Sequence, residues 1–123
     1  MASNLVVDTL TKGAVTLNTD ELVDVNNTRV CKAWVNFNGS GTVAIRASYN
    51  VSSITDNGTG DYTVNFASAM PDVNYVAVAS SASFTSDGIG SNTRSTTACT
   101  VLNVDSRSYG VQNSSSIYFA VFR

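Results

Sequence analysis

The chain is predicted to fold as an all-β protein: a single antiparallel β-sandwich, jelly-roll-like, with a short N-terminal extended leader. Three observations support this. Apolar and polar residues alternate in short runs, the period of a half-buried strand, and no window of about eleven residues carries a helical period. Clusters of Gly, Asn, Asp and Ser separate the runs at intervals of roughly 8–12 residues, the spacing of sandwiches and small barrels. Charged residues make up only 13% of the chain, against about 25% in an average globular protein. Ser, Thr, Asn and Gly must therefore cover the surface, and their side chains compete for backbone hydrogen bonds in ways that favour strands and turns. Such a surface also packs against copies of itself without charge repulsion. With 123 residues the chain has room for one compact core.

Residues 1–29 are assigned to the leader and residues 30–123 to the sandwich. The leader has apolar pulses at Leu5-Val6-Val7, Val15–Leu17 and Leu22–Val25, separated by Thr11-Lys12-Gly13 and Asn18-Thr19-Asp20. Each pulse is too short to be stable alone, which makes the leader a candidate for pairing with another chain; an ordinary edge strand is the plainer alternative.

In the sandwich, Cys31, Ala33, Val35 and Phe37 alternate with Lys32, Trp34 and Asn36. Asn38-Gly39-Ser40-Gly41 then turns the chain into Thr42–Ala47, forming a hairpin. Val51 and Ile54 are three apart, which places a bulge at Ser52-Ser53. Asp56–Gly60 is a turn by composition. Tyr62, Val64 and Phe66 point inward, Thr63 and Asn65 outward. Val73–Ala79 is apolar enough for a central strand. Ser83–Ser95 and Asp105–Ser116 are polar loops around the strand Thr96–Val104. Ile117–Phe122 is apolar on both faces, which suggests burial from both sides.

Little points to chemistry. The sequence has no histidine, hence neither the commonest general base nor the commonest metal ligand. There is no nucleophile elbow and no phosphate loop. Asp56 and Asp61 flank a segment with glycine at positions 58 and 60, where a calcium loop needs oxygen ligands. We therefore expect no enzyme activity, no cofactor, no metal and no catalytic residues. A net charge of -2 and a pI near 4.7 argue against nucleic acid, and no apolar run reaches the ~20 residues of a membrane span. Met1-Ala2-Ser3-Asn4 lacks the features of a secretory signal, so synthesis is expected in a cytoplasm. Asn50-Val51-Ser52 and Asn57-Gly58-Thr59 then match the glycosylation pattern by coincidence. Cys31 and Cys99 fit no metal or redox spacing; buried free thiols are the expectation, a disulfide between adjacent strands the alternative. Trp34, Tyr49, Tyr62, Tyr75 and Tyr118 fall at strand positions, where core or interface packing accounts for them before carbohydrate stacking does. Tyr109, in a loop of small residues, is the exception.

The string from Lys32 to Arg46, with Trp34-Val35-Asn36-Phe37-Asn38-Gly39-Ser40-Gly41 at its centre, resembles a module recurrent in bacteriophage tail-fibre proteins, notably those of marine and cyanobacterial phages. So do Tyr49–Phe66, Ala69-Met70-Pro71-Asp72, Asn74-Tyr75 and the closing Tyr118–Phe122. The opening Leu5–Leu10 is similar to a Val-Asp-Thr-Leu start found in such proteins. Together the close matches span about half the chain.

The resemblance implies a virion component, a homotrimer whose distal loops meet a host-surface glycan or protein. It carries no catalytic residues to transfer, and the chain lacks the long repetitive shaft of a typical fibre. A short tail-fibre or receptor-binding module is the first expectation; a capsid decoration or cement protein that stabilises the phage head is the alternative. Partners are then further copies of itself and another virion protein, contacted by the leader through Leu5, Val7, Leu10, Leu22 and Val25. The doubly apolar C-terminal strand is a second candidate interchain surface. Host contact is expected at the loops outside the matched string, through Asp87, Arg94, Arg107, Tyr109 and Gln112.

Overall fold

The structure, a computed structural model, describes residues 9–12, 15–18, 30–82, 88–105 and 110–123. The chain divides into two compact units, Met1–Val30 and Cys31–Arg123. In the first, strand β1 (Thr9–Lys12) pairs antiparallel with β2 (Val15–Asn18), Leu10 opposite Leu17. Where it is described, the leader expected to be extended is therefore a hairpin. Strands this close in sequence close the smallest loop by pairing with each other. Of the proposed anchoring residues, Leu10 lies on β1; Leu5, Val7, Leu22 and Val25 fall outside the described residues.

The second unit is a β-sandwich of two antiparallel sheets. One sheet runs β4 (Ala44–Tyr49), β3 (Cys31–Asn38), β11 (Ile117–Phe122), β7 (Val76–Ser81), in that order. In the other, β5 (Val51–Gly58), β6 (Asp61–Phe66) and β9 (Ala98–Asp105) are neighbours. Strand β8 (Gly88–Arg94) lines the far edge of β9, and β10 (Gly110–Val111) continues beside β9 past the end of β6. Strands β3 and β11, the first and last of the unit, pair at the centre of their sheet.

Strand alternation builds the core. Ala33, Val35 and Phe37 of β3 and Ile117, Phe119 and Val121 of β11 are buried, as are Tyr62, Val64 and Phe66 of β6 and Cys99 and Val101 of β9. Each fully buried Val or Phe side chain contributes about 1.5–3 kcal/mol. Edge-to-face ring pairs tie the sheets together: Phe37 with Tyr62 at 5.3 Å and Phe66 with Tyr75 at 5.9 Å between centroids. Neither the half-buried Cys31 nor the buried Cys99 is in a disulfide.

The hairpin between β3 and β4 forms around Asn38, whose Nδ2 donates to the Ser40 and Thr42 carbonyls at 2.7 and 2.9 Å. The register shift between Val51 and Ser53 lies where the bulge was expected. At the corner between β4 and β5, Asn50 takes φ +53°, a left-handed conformation that Asn tolerates better than most residues. Its side chain splints the corner, donating to the Lys32 and Ser68 carbonyls at 2.9 and 3.2 Å and accepting from the Ser68 N–H at 2.7 Å.

Three expectations are corrected. The run Val73–Ala79 is not a central strand: β7 starts at Val76 and forms the edge of its sheet, with Val76 and Val78 exposed. The polar segment Ser83–Ser95 is not all loop, because Gly88–Arg94 pairs with β9; ladder hydrogen bonds need only backbone, so small polar residues join a sheet without an apolar signature. Ile117–Phe122 is buried on one side only, with Tyr118 and Phe122 left exposed on the other.

The C-terminus is clasped. Arg123 donates from Nε and Nη2 to the two Asp72 oxygens at 3.0 and 2.7 Å. These hydrogen bonds, followed by that from the Asn74 N–H, hold the Asp72 carboxyl below its ordinary value. The clasp therefore stabilises the fold above about pH 4, the unfolded value, and its contribution disappears as the pH falls through the lower folded value. Asp72→Asn should lower the thermal midpoint slightly at pH 7, solvent screening keeping the effect small, and should match the wild type in acid. Melts across that pH range test this; a gap that persists in acid rejects it.

Candidate functional site

The two sheets turn very different outer faces to solvent. Across β5 and β6 the outer face is polar and satisfies itself, while at the far end of the same sheet Val111 stands exposed opposite Val104. Asn65 Nδ2 donates to Thr55 Oγ1 at 2.9 Å and Ser53 Oγ at 3.1 Å, and Asn57 Nδ2 to Thr63 Oγ1 at 2.9 Å and Asp61 Oδ1 at 3.1 Å. Asn57, like Asn50, thus uses the amide of its glycosylation sequence inside the fold.

The outer face of the β4-β3-β11-β7 sheet is apolar. Register sets Tyr49 opposite Trp34, Trp34 opposite Ala120 and Ala120 opposite Val78, one line across all four strands. Beside it run Ala47, Asn36, Tyr118 and Ser80, and Phe122 stands opposite Val76. Trp34, Tyr49, Tyr118, Phe122, Val76 and Val78 are between 40% and 60% exposed. At about 200 Å² per aromatic side chain, these six leave on the order of 500 Å² of apolar surface in water. Scattered apolar residues need no explanation, but a contiguous patch of this size lies toward the upper end of what a monomer exposes, where patches are often functional.

Ala120 makes this face concave. Its methyl group lies between Trp34 and Val78 across the strands and between Tyr118 and Phe122 along its own. The resulting trough has a volume of about 550 Å³, with Asn36 and Ser80 among its lining residues. At one rim Arg46 Nη1 donates to Asn36 Oδ1 at 3.4 Å and Ser116 Oγ at 3.2 Å, and Nη2 to the Ser115 carbonyl at 2.5 Å. The four strands carry Lys32 and Arg46 but no acidic residue. Burying such a face is the hydrophobic contact it can make; its polar groups are few.

At one end of the sandwich a buried polar network fixes the segment before β11. The Tyr62 hydroxyl lies within hydrogen-bonding reach of the Gly39 carbonyl and, at 2.8 Å, of Asn113 Oδ1, which also accepts from the Gly60 N–H at 2.8 Å. Asn103 Nδ2 donates to the Gln112 carbonyl at 2.7 Å, and the Gln112 N–H returns to the Asn103 carbonyl at 2.9 Å. Burial, then the negative charge of Asp56, raises the Tyr62 pKa above its ordinary value, so at neutral pH the phenol remains a hydrogen-bond donor.

The proposed host-contact residues are not brought together among the described residues. Arg94 is exposed at the end of β8, Gln112 is half-buried in the network, and Asp87, Arg107 and Tyr109 fall outside the described residues. Of the strand aromatics, Tyr62 and Tyr75 are core, whereas Trp34, Tyr49 and Tyr118 stand on the outer face. The signal for that face was present in the apolar character of both sides of Ile117–Phe122 and of Val76–Ala79. Among the described residues no group of three or more His, Cys, Asp or Glu side chains is placed to hold a metal, and no helix is long and apolar enough to cross a membrane. Comparison with known proteins finds no matching family model, curated protein or solved structure.

Proposed function

We propose that the protein is a non-enzymatic virion structural module, a short trimeric tail-fibre or receptor-binding unit. It attaches to the particle through residues 1–29 and holds its loops toward the host surface. The observation that carries this reading is the uncovered apolar face of the β4-β3-β11-β7 sheet. A chain with so much apolar surface in water works by assembling, because burial of that face supplies stability that a single copy lacks. The resemblance of Lys32–Arg46 and Tyr49–Phe66 to tail-fibre modules supplies the setting. The opposite, polar sheet face and the loops then stay in solvent, where rigid strands hold them for contact.

Cryo-electron microscopy of intact particles bearing an antibody fragment against this chain tests the reading. Label on the tail or its appendages is the expected result; label spread over the capsid replaces it with decoration of the head. Within the first outcome, Arg107→Ala with Tyr109→Ala should lower host adsorption roughly tenfold, the scale of losing an arginine and an aromatic anchor, and leave the oligomer mass unchanged. Undiminished adsorption would remove these residues from the contact.

A further inference from the structure

We infer that the outer face of the β4-β3-β11-β7 sheet is a contact between copies of this chain, with Tyr49 of one copy seated in the trough over Ala120 of the next. The inference rests on the assembly reading above and adds the occupant and its fit. Two observations identify that occupant as a second copy.

The first is area. A stable interface covers about 800 Å² per partner. The apolar patch, on the order of 500 Å² by the aromatic side-chain scale, supplies most of this, and Asn36, Ala47 and Ser80 on the same face extend it. A free saccharide or other small molecule would cover the trough and leave Val76, Phe122 and Tyr49 in water.

The second is a protrusion and a hollow on one patch. Tyr49 is the most exposed aromatic of the face, at 57%, and stands on the edge strand β4. Ala120 lies two strands away in the same line, with Trp34 between them. That separation is about 10 Å at ordinary strand spacing, and the intervening indole keeps Tyr49 out of its own trough. A neighbouring copy brings a tyrosine to the hollow and offers its own hollow in turn. Its ring would lie between Trp34 and Tyr118, and its hydroxyl would meet Asn36 and Ser80. Protrusion and hollow sit at different points of one patch, so a two-fold pair with each tyrosine in the other's hollow and a head-to-tail ring both satisfy them; the trimeric reading above selects the ring. Few charges interrupt the face, whereas the other sheet's outer face is polar across β5 and β6 and exposes, among the described residues, one large apolar side chain, Val111.

Sedimentation velocity of the isolated full chain at micromolar concentration, with no other virion protein present, tests the contact. The expected result is a trimer of the 12.9 kDa chain. Tyr49→Ala, which removes the protrusion, and Ala120→Phe, which fills the hollow, should each weaken association at least tenfold while the β-sheet circular dichroism is retained. Thr55→Lys on the opposite face should associate like the wild type. A monomeric wild type overturns the inference, as does an oligomer that both trough variants leave intact. A dimer dissolved by both variants keeps the contact and removes the three-fold ring. Particle labelling is independent of all these results, so failure of this contact is distinguishable from failure of the virion assignment.

Discussion

Truncation of Tyr62 to alanine is expected to lower stability by about 3–5 kcal/mol, the range for deleting a buried aromatic side chain. Tyr62 is fully buried and packs edge-on against Phe37, so the cavity opens where the two sheets meet. Against a total of about 5–15 kcal/mol for a domain, that loss removes from a fifth of the stability to nearly all of it. Tyr62→Phe separates the hydroxyl from the ring. It should cost about 1–3 kcal/mol, because the one O–H proton within reach of the Gly39 carbonyl and Asn113 Oδ1 is lost from a buried site. Alkali offers a second readout. The folded pKa of Tyr62 lies above its ordinary value, so its contribution is whole below about pH 10 and is lost as the pH rises toward the folded value. Tyr75, raised by burial and then by the nearby Cys99, behaves alike. Wild-type stability should therefore fall above pH ~10, and Tyr62→Phe should fall less steeply. Urea titrations across this range decide the matter; a Phe variant as stable as the wild type at pH 7 would show that these hydrogen bonds contribute nothing net.

Gly60→Ala is expected to cost about 2–4 kcal/mol, combining a left-handed backbone with overpacking. Gly60 has φ +66°, and an added Cβ would lie 2.6 Å from the Gln112 nitrogen, 2.7 Å from its carbonyl oxygen and 2.9 Å from the Asn103 oxygen. All three are backbone atoms of the pairing that closes this end of the sandwich, so none can rotate away. Gly41→Ala is the control: its φ of +67° is similar but a Cβ there meets nothing within 4 Å, leaving only the conformational term of about 1–2 kcal/mol. Equal losses in the two variants, by chemical denaturation, would locate the whole effect in backbone conformation and refute the close-approach argument. The pairing of Gln112 with Asn103 also ends the segment that follows Tyr109, so Gly60→Ala should increase amide exchange at Gln112 beyond the global loss.

Strand alternation made much of the fold legible. Ala33, Val35 and Phe37, and likewise Tyr62, Val64 and Phe66, enter the core as their period implies. The bulge after Val51 follows from the three-residue gap to Ile54. Strand β8 was illegible because Gly88–Arg94 carries one large apolar residue, Ile89, and backbone pairing needs no apolar signature. The hairpin of β1 with β2 was missed because marginal apolar pulses do not say which partner they take.

The candidate site was only half visible. Aromatic residues at strand positions were assigned to core or interface together, and nothing local separates Tyr62, in the core, from Tyr118, on the outer face. The hollow over Ala120 depends on three strands distant in sequence: Trp34 from β3, Val78 from β7 and Tyr118 from β11. No window of sequence contains that juxtaposition.

By itself the sequence determined the all-β class, the positions of most turns and which residues share a face of each strand, because the two-residue period and turn chemistry are local. Only the tertiary structure decided which face of β11 and β7 meets the core, that β7 is an edge, and that Tyr49, Trp34, Ala120 and Val78 form one line. When a strand is apolar on both sides, its period cannot choose between them; long-range pairing makes the choice, and here it leaves one apolar face in water.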